Sequence, residues 1–184
     1  MELVQPTTLH LHSYVAALRG GWSADNVRGR VAAQEELERI EQNADRFLAG
    51  LHDREARGDP VTLPDGSQVA RIPGYRMWMW DGEFCGSIGL RWLPGTTALP
   101  PHVLGHIGYA VVPWKQGCGY ATQALRLLLP EAKKEGLDYV ELTTDPDNIA
   151  SQKVILASGG VLVERFRKPA QYGGVEGLRF RIVL

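Results

Sequence analysis

The sequence predicts an α+β fold, with a mixed, mostly antiparallel, twisted sheet of about seven strands flanked by helices. Three observations support this class. Two segments around Asp81-Gly82, a hairpin turn signal, predict antiparallel strands in the first half of the chain. A strand, a glycine-rich turn, a helix and a second strand follow one another between residues 106 and 144, which predicts a parallel pair. Two strands at 161–167 and 177–184 complete the sheet.

Length and composition predict one globular domain spanning residues 1–184. A chain of 184 residues with 44% hydrophobic and 22% charged residues can bury a substantial core. The net charge of -1 provides no bulk attraction to nucleic acid or to a membrane surface. No apolar run approaches the roughly 20 residues of a membrane span. The start of the chain does not resemble a signal peptide, and two cysteines, Cys85 and Cys118, suit a reducing cytosol, so a cytoplasmic location is expected.

Residues 1–60 are expected to form an N-terminal strand and a helical part. Glu2 to Thr7 is a candidate for a short edge strand, and His10 to Arg19 is a predicted helix that ends before two glycines. Ser23 suits a helix N-cap, and apolar residues then recur at helical spacing to about Gly58. This pattern predicts an amphipathic helix, continuous or broken, that covers one flank of the core. A helix that binds a partner is the less favoured alternative.

Residues 75–184 are expected to form the core sheet. Prolines and glycines between Asp59 and Gly74 predict a loop or a small hairpin. Strands are predicted from Tyr75 to Trp80 and from Glu83 to Trp92. A proline-rich loop from Leu93 to Gly105 leads to the strand His106 to Val112.

The turn after that strand favours an anionic ligand. Pro113 ends the strand, and Gly117 and Gly119 allow backbone amides to approach a ligand closely. The helix that follows offers unpaired N–H groups and a dipole that favour an anion such as a pyrophosphate. The third glycine of the dinucleotide-binding fingerprint and the Gly-Lys-Ser/Thr of the P-loop are missing. A tight turn that needs small residues, with no ligand, is the structural alternative.

A second strand and helix follow in a fixed order. Tyr139 to Thr144 is a predicted strand. Asn148 then suits the N-cap of a helix from Ile149 to Ala157, and Gly159 lies just beyond the helix end.

These motifs resemble the GCN5-related N-acetyltransferase (GNAT) superfamily. Gln116, Gly119 and Ala121 match its acetyl-CoA signature, Gln/Arg-x-x-Gly-x-Gly/Ala. In the second helix the family pattern is Asn-x-x-Ala/Ser-x-x-Leu-Tyr-x-x-x-Gly-Phe. This chain matches the pattern at four positions and departs from it at Ile155 and Gly160. The matching residues are Asn148, Ser151, Val154 and Gly159. The resemblance covers residues 75–184, with the motifs at 106–160, and looks closest to an uncharacterised bacterial branch with a long N-terminal helical extension.

The resemblance implies an N-acetyltransferase that moves an acetyl group from acetyl-CoA to a primary amine by direct attack in a ternary complex. Acetyl-CoA would be the co-substrate, and no metal is expected. It would lie in a splay between the strands that end at Val112 and Thr143. The implied cofactor-binding residues are Val111, Val112, Gln116, Gly117, Cys118, Gly119, Tyr120, Ala121, Thr122, Asn148 and Ser151.

Two catalytic groups are implied by the resemblance. His106 stands where many relatives carry a glutamate base, and an imidazole titrates near neutrality. A structural histidine with satisfied hydrogen bonds is the alternative, and His102 is a weaker candidate base. The Val112 amide is expected to polarise the thioester carbonyl. Ile155 replaces the usual tyrosine acid, and the CoA thiolate is stable enough near neutral pH to leave into water. Neither Tyr109 nor Tyr120 is expected to substitute for that acid, because Tyr109 precedes the end of the cofactor strand and a tyrosine at position 120 is typical of turn packing.

The acceptor pocket is expected opposite the cofactor, beside the loop from Leu93 to Gly105. Trp78, Trp80 and Trp92 could form an aromatic wall for a cationic amine, or pack beneath the N-terminal helices. Arg91 and Asp145 are further candidates for acceptor binding, although Asp145 could simply cap a helix. The histidines are scattered and predict no metal site.

Three alternatives to an acetyltransferase remain open. They are a non-catalytic domain that binds or senses acyl-CoA, a transferase for another acyl group, and a dinucleotide-binding module. The acceptor, a small-molecule or peptide amine, cannot be identified from the sequence. A homodimer is possible.

Overall fold

The computed structural model describes residues 1–25, 27–63 and 65–184. Asn26, inside the predicted second helix, and Pro64, inside the predicted loop, lie outside the described residues. The described helices are Leu11–Arg19 (α1), Arg30–Gln42 (α2), Ala44–Gly50 (α3), Tyr120–Lys134 (α4) and Ile149–Ala157 (α5). The described strands are Glu2–Val4 (β1), His52–Asp53 (β2), Val61–Thr62 (β3), Gln68–Val69 (β4), Gly74–Trp80 (β5), Phe84–Arg91 (β6), Ile107–Val111 (β7), Tyr139–Thr144 (β8), Val161–Arg167 (β9) and Glu176–Val183 (β10).

The strands form two main antiparallel sheets. The first has the order β1-β5-β6-β7, with β2 also paired to β5, and the second has the order β8-β10-β9. The small hairpin of β3 and β4 lies within the segment predicted as a loop or hairpin. The predicted fold class is confirmed, and the short strands β2, β3 and β4 account for the larger number of strands.

The two sheets meet where β7 and β8 lie side by side. Helix α4 connects the end of β7 to the start of β8, so both strands run in the same direction. The His106 amide donates to the Glu141 carbonyl at 2.8 Å. A Cβ on Gly105 would stand 2.8 Å from the same carbonyl oxygen, so the close approach requires glycine there. Beyond this point the strands belong to separate sheets, which leaves a cleft between β7 and β8.

The N-terminal helical part differs from its prediction at both ends. The Ser23 hydroxyl does not cap a helix, because it accepts a hydrogen bond from the Asp25 amide in a local turn, and α2 begins at Arg30. The predicted helix is broken at Asn43, whose side chain accepts from the Arg46 amide and starts α3. The stretch expected to remain helical to Gly58 instead leaves α3 and pairs as β2 with β5.

Two hydrophobic cores cover the faces of the first sheet. Helices α4 and α5 pack on one face, around residues such as Ile88, Leu125 and Ile155. Helices α1 to α3 cover part of the other face, where Tyr14 and Trp78 are buried together. None of the helices in the described parts of the chain is both long and apolar enough to span a membrane.

Candidate active site

A single cavity of about 1440 Å³ reaches both faces of the first sheet. One part, here called the cleft half, is lined by the facing edges of β7 and β8 and by the starts of α4 and α5. Its residues include Tyr109, Val111, Gln116, Gly117, Gly119, Tyr120, Ala121, Thr122, Thr143, Thr144, Asn148 and Ser151. The other part, here called the arginine half, lies between the loop after α1 and the opposite face of β5 to β7. Its residues include Trp22, Ser23, Asp25, Arg76, Ser87, Gly89, Arg91 and Gly108.

The start of α4 presents backbone donors to the cleft half. Gly117 and Gly119 both adopt φ of 77°, a left-handed conformation that few other residues tolerate. The first helical hydrogen bond runs from the Gln123 amide to the Gly119 carbonyl, at 3.0 Å. The amides of residues 120–122 therefore have no partner within the helix, and no side chain of the described residues caps them. With no acidic residue in the first turn, this helix end suits an anion.

Two residues at this turn differ from their predicted contacts with the ligand site. The exposed Cys118 does not line the cavity, and its thiol faces the Gln116 carbonyl at 3.7 Å. The Tyr120 hydroxyl donates to Asp81 at 2.7 Å, so that side chain ties the turn to the hairpin between β5 and β6. Tyr120 therefore lines the cleft half without a free hydroxyl for a ligand.

The pairing of β7 with β6 decides which amides face the cleft. Val112 is buried, and its amide donates to the Cys85 carbonyl at 2.9 Å. This geometry contradicts the predicted role of Val112, because its amide is already used within the sheet. Alternate residues of an antiparallel strand direct their backbone groups to opposite edges. The amides of Tyr109 and Val111 therefore point away from β6 and toward the cleft.

His106 connects the two strands at the closed end of the cleft. Its Nδ1 accepts a hydrogen bond from the Glu141 amide at 2.9 Å, so its Nε2, 3.1 Å from the Thr97 carbonyl, must be the donor. The side chain is only 1% exposed and does not line the cavity. Burial lowers the pKa of His106, although the charge of Glu141 raises it. The structure conflicts with the predicted role of His106 as general base, since neither ring nitrogen is free to take a proton from a substrate.

Helix α5 brings a tyrosine to the cleft half. Asn148 caps the helix by accepting from the Ser151 amide at 3.0 Å, as predicted for an N-cap. The Tyr109 hydroxyl lies 2.9 Å from the Ser151 hydroxyl, and burial raises the pKa of Tyr109 to about 12. Ile155 is buried in the core. Tyr109 was not predicted as a proton donor. Only the folded structure shows that its hydroxyl lies against α5 at Ser151, one turn from Ile155.

The predicted aromatic wall is wrong, because the three tryptophans lie elsewhere. Trp78 is 0% exposed and stacks on Tyr14 with ring centroids 4.2 Å apart, beneath the N-terminal helices. Trp92 is buried in the core around α4, and Trp80 contacts the ring of His10 at 4.8 Å. None of the three lines the cavity formed by the described residues.

The arginine half is lined by charged and polar side chains beside Trp22. Arg76 and Arg91 both line it, and Arg76 is paired with Glu36 at 3.4 Å. Ser87 contributes a polar side chain from the same face of β6. Only Arg91 was predicted. Arg76 and Ser87 could have been inferred from the alternation of β5 and β6, had the paired register been known.

Asp145 and His102 also line the cavity. Asp145 lies at the end of β8, and its carboxylate is paired with Lys168, so its charge is compensated within the chain. His102 lies in the loop before β7, and its carbonyl accepts from the Tyr172 hydroxyl at 2.8 Å. Within the described parts of the chain, no group of three or more His, Cys, Asp or Glu side chains could hold a metal ion.

Solved structures of acetyltransferases share this fold across the chain. One is a ribosomal L7/L12 α-N-protein acetyltransferase, RimL, in complex with coenzyme A, with a TM-score of 0.63 and 14% identity over 99% of this chain and 93% of that one. Another is the microcin C7 self-immunity acetyltransferase MccE in complex with acetyl-CoA and AMP, with a TM-score of 0.60 and 15% identity over 99% and 91% of the two chains. A third is the spermidine N-acetyltransferase SpeG of Vibrio cholerae, with a TM-score of 0.56 and 14% identity over 100% and 95%.

Sequence comparison identifies the family. No curated protein sequence matches this chain. The family model described as "Acetyltransferase (GNAT) domain" matches residues 35–161, which is more than half of the chain. The match includes the cleft strands, the glycine loop and helices α4 and α5. The chain therefore belongs to the GNAT acetyltransferase family.

Proposed function

We propose that this protein is an N-acetyltransferase that moves an acetyl group from acetyl-CoA to a primary amine by direct attack in a ternary complex. One observation carries the proposal: the open edge of β7 leads directly to the uncapped start of α4. A ligand with an extended arm and a pyrophosphate fits this arrangement, because the arm can pair with β7 and the pyrophosphate can bind the unpaired amides of α4. One cavity is lined by the loop after α1, by β5 and β6, and by β7 and β8. This shared lining supports a single domain over residues 1–184.

The backbone of the cleft half would hold the co-substrate. The free backbone groups of Tyr109 and Val111 can pair with the amide-containing pantetheine arm, as an added strand would. The amides of residues 117–122 would bind the pyrophosphate at the helix start. Asn148 and Ser151 would line the opposite side. The structures of similar fold that hold coenzyme A or acetyl-CoA support this use of the cleft.

The chemical step needs an oxyanion donor, a proton acceptor and a proton donor. The amine attacks the acyl carbon, and the Val111 amide would stabilise the charge that develops on the acyl oxygen. His102, the one histidine among the described residues that line the cavity, would accept the proton of the amine. The Tyr109 hydroxyl, protonated at neutral pH, would donate a proton to the leaving thiolate and regain one from the solvent in the open cavity. Acetyl-CoA supplies the activated acyl group.

The free thiols support a reducing location. Cys85 is buried and Cys118 is exposed, and neither is in a disulfide. We propose a cytoplasmic protein on this basis. The structures of similar fold include acetyltransferases of a ribosomal protein and of spermidine, which supports a primary amine as the acceptor here.

Calorimetry with acetyl-CoA tests the proposal on the wild type and on Gly119→Trp. At φ 77° any side chain strains the loop, and an indole there would occupy the approach to the α4 amides. We expect micromolar binding by the wild type, weakened at least about 100-fold in the variant. Gly136→Trp is the matched control, since Gly136 has φ 82° at the other end of α4 and does not line the cavity.

A thiol-release assay then separates an enzyme from a binding domain. Release of CoA that depends on an added amine would establish transfer. A folded wild-type protein that binds no acetyl-CoA would overturn the proposed function, and so would equal binding by the Gly119→Trp and Gly136→Trp variants.

A further inference from the structure

Arg91 presents an unpaired cation to the arginine half of the cavity. It ends β6, and its Nη2 lies 3.2 Å from the position that a Cβ would take on Gly108. The guanidinium therefore lies over the middle of β7, in space that a side chain at residue 108 would occupy. No described residue accepts a hydrogen bond from the Arg91 side chain or forms an ion pair with it, and this exposed residue lines the cavity, where its N–H donors are free for a ligand.

The other charged groups that line the cavity have partners. Arg76 is held by Glu36 at 3.4 Å, and Asp25 is held by Arg28 at 2.9 Å. Arg71 lies 3.7 Å from Asp53. Two lysines are likewise paired with acids, as Lys115 with Asp81 and Lys168 with Asp145. Among the described lining residues, Arg91 is thus the one fixed charge left uncompensated.

The surroundings of Arg91 favour an incoming anion. Partial desolvation beside the sheet lowers the pKa of Arg91, and the neighbouring charge of Arg76 lowers it further, while the residue itself remains exposed. Both effects disfavour the isolated cation, and a bound anion would relieve both. A polyamine would instead bring additional positive charge toward Arg91 and Arg76, which disfavours it as a ligand of this half.

We propose that the acceptor amine carries a carboxylate and that Arg91 binds this carboxylate. This inference rests on the proposed function, because it assigns the substrate class of the same site. One uncompensated positive charge matches one monoanion, and the planar fork of a guanidinium matches a carboxylate with two parallel hydrogen bonds. Ser87, on the same face of β6, offers a further polar contact.

The position of Arg91 along the sheet sets the approximate shape of the acceptor. Gly108, which Arg91 covers, and Val111 are three residues apart on β7, which corresponds to roughly 10 Å along a strand. The carboxylate is therefore separated from the reacting amine by several bonds. An ω-amino acid or a short peptide with an acidic side chain or terminus fits this separation.

Matched acceptors test the inference. The probes are ε-aminocaproate and dipeptides ending in Asp or Glu, each compared with its carboxamide, together with spermidine and aminoalkyl phosphates. Transfer is followed by CoA release with the wild type, Arg91→Gln and Arg91→Lys. Arg165→Gln, on the exposed strand β9, is a control for the loss of one arginine.

We expect the wild type to acetylate the carboxylates with kcat/KM about tenfold to 100-fold above that of the amides. Arg91→Gln should abolish this preference, Arg91→Lys should retain part of it, and both variants should bind acetyl-CoA as the wild type does. A preference for amides, spermidine or phosphates would overturn the inference, and so would a carboxylate preference that survives Arg91→Gln. If acetyl-CoA binds but no carboxylate-bearing amine reacts, the inference is also overturned, whereas absent acetyl-CoA binding would instead overturn the proposed function.

Discussion

The two halves of the cavity are built in different ways. The cleft half is made largely of backbone groups from one continuous stretch between His106 and Ser151. The arginine half is made of side chains from separate segments, including the loop after α1 and strands β5, β6 and β7. A site made of backbone groups from neighbouring residues leaves a local signature in the sequence. A site made of side chains from distant segments depends on the register of the sheet, and no local pattern records it.

The largest expected effect comes from His106→Ala, at the closed end of the cleft half. The substitution leaves the partly buried Glu141 amide and the Thr97 carbonyl without partners. We expect a loss of about 2 to 4 kcal/mol in the free energy of unfolding, measured by chemical denaturation. Acetyl-CoA binding should weaken as a consequence, because β7 and β8 lose a connection beside the cleft.

His12→Ala is the control, since His12 is an exposed residue of α1. It should change the free energy of unfolding by less than about 0.5 kcal/mol. If His106→Ala kept the wild-type stability and lost only transfer, His106 would be a catalytic base after all.

The Tyr109→Phe substitution tests whether a side chain also acts within the cleft half. We expect kcat to fall about tenfold to 100-fold, since the leaving thiolate loses its proton donor. The affinity for acetyl-CoA should stay within about threefold, because the backbone of β7 is unchanged. The loss should shrink with an acyl donor whose thiol has a lower pKa, which a purely structural defect would not do.

Tyr120→Phe provides the comparison for that variant. The Tyr120 hydroxyl binds Asp81 outside the cleft, so its removal should leave kcat nearly unchanged. A Tyr109→Phe enzyme with the wild-type kcat for all donors would show that the thiolate leaves into water.

The same contrast explains which parts were predictable from the sequence. Strands β8 and β9 and helix α5 have the predicted ends, because local signals such as the Asn148 cap determine them. The Ser23 cap was wrong because the same hydroxyl can close a turn. Val112 was chosen instead of Val111 because the direction of an amide depends on pairing with β6. The packing of Trp78 beneath α1 is a contact between distant parts of the chain, so the local sequence could not decide between this position and the predicted aromatic wall.

The state of His106 also predicts a pH dependence. Its pKa in the folded protein lies below the usual value of about 6.5, because burial disfavours the charged ring. Below about pH 6.5 the unfolded chain therefore binds the extra proton more readily, and the free energy of unfolding falls as the pH falls. Above that pH both states are neutral, so His106 causes no further change.

Denaturation between about pH 5 and pH 8 measures this effect in the wild type and in His106→Gln. The wild type should lose more stability toward low pH than the variant does. Because the burial of His52 lowers its pKa as well, the difference between the two proteins is the informative quantity. Parallel curves would show that His106 does not govern the pH dependence.

Two substitutions of Asn148 distinguish its capping of α5 from a contact with the co-substrate. Asn148→Ala should cost about 1 kcal/mol of stability through loss of the cap of α5. Asn148→Ser preserves a capping oxygen and removes the amide, so its stability should stay close to the wild type. If the serine variant nevertheless binds acetyl-CoA up to about tenfold more weakly, the amide contacts the co-substrate. Unchanged affinity would assign Asn148 to capping alone.

The smallest effect is expected from Asp145→Asn. This variant tests whether a carboxylate of the site, rather than Arg91, recognises the charge of the acceptor. Asp145 is paired with Lys168, and its side chain remains 49% exposed. Because the carboxylate is half-exposed, the pair contributes about 1 kcal/mol or less. Removing the carboxylate should therefore change kcat/KM by less than about threefold for carboxylate-bearing amines, because Arg91 rather than Asp145 is expected to recognise them. A tenfold or larger loss confined to spermidine would instead show that Asp145 receives a cationic acceptor, and the arginine half would then not determine the substrate class.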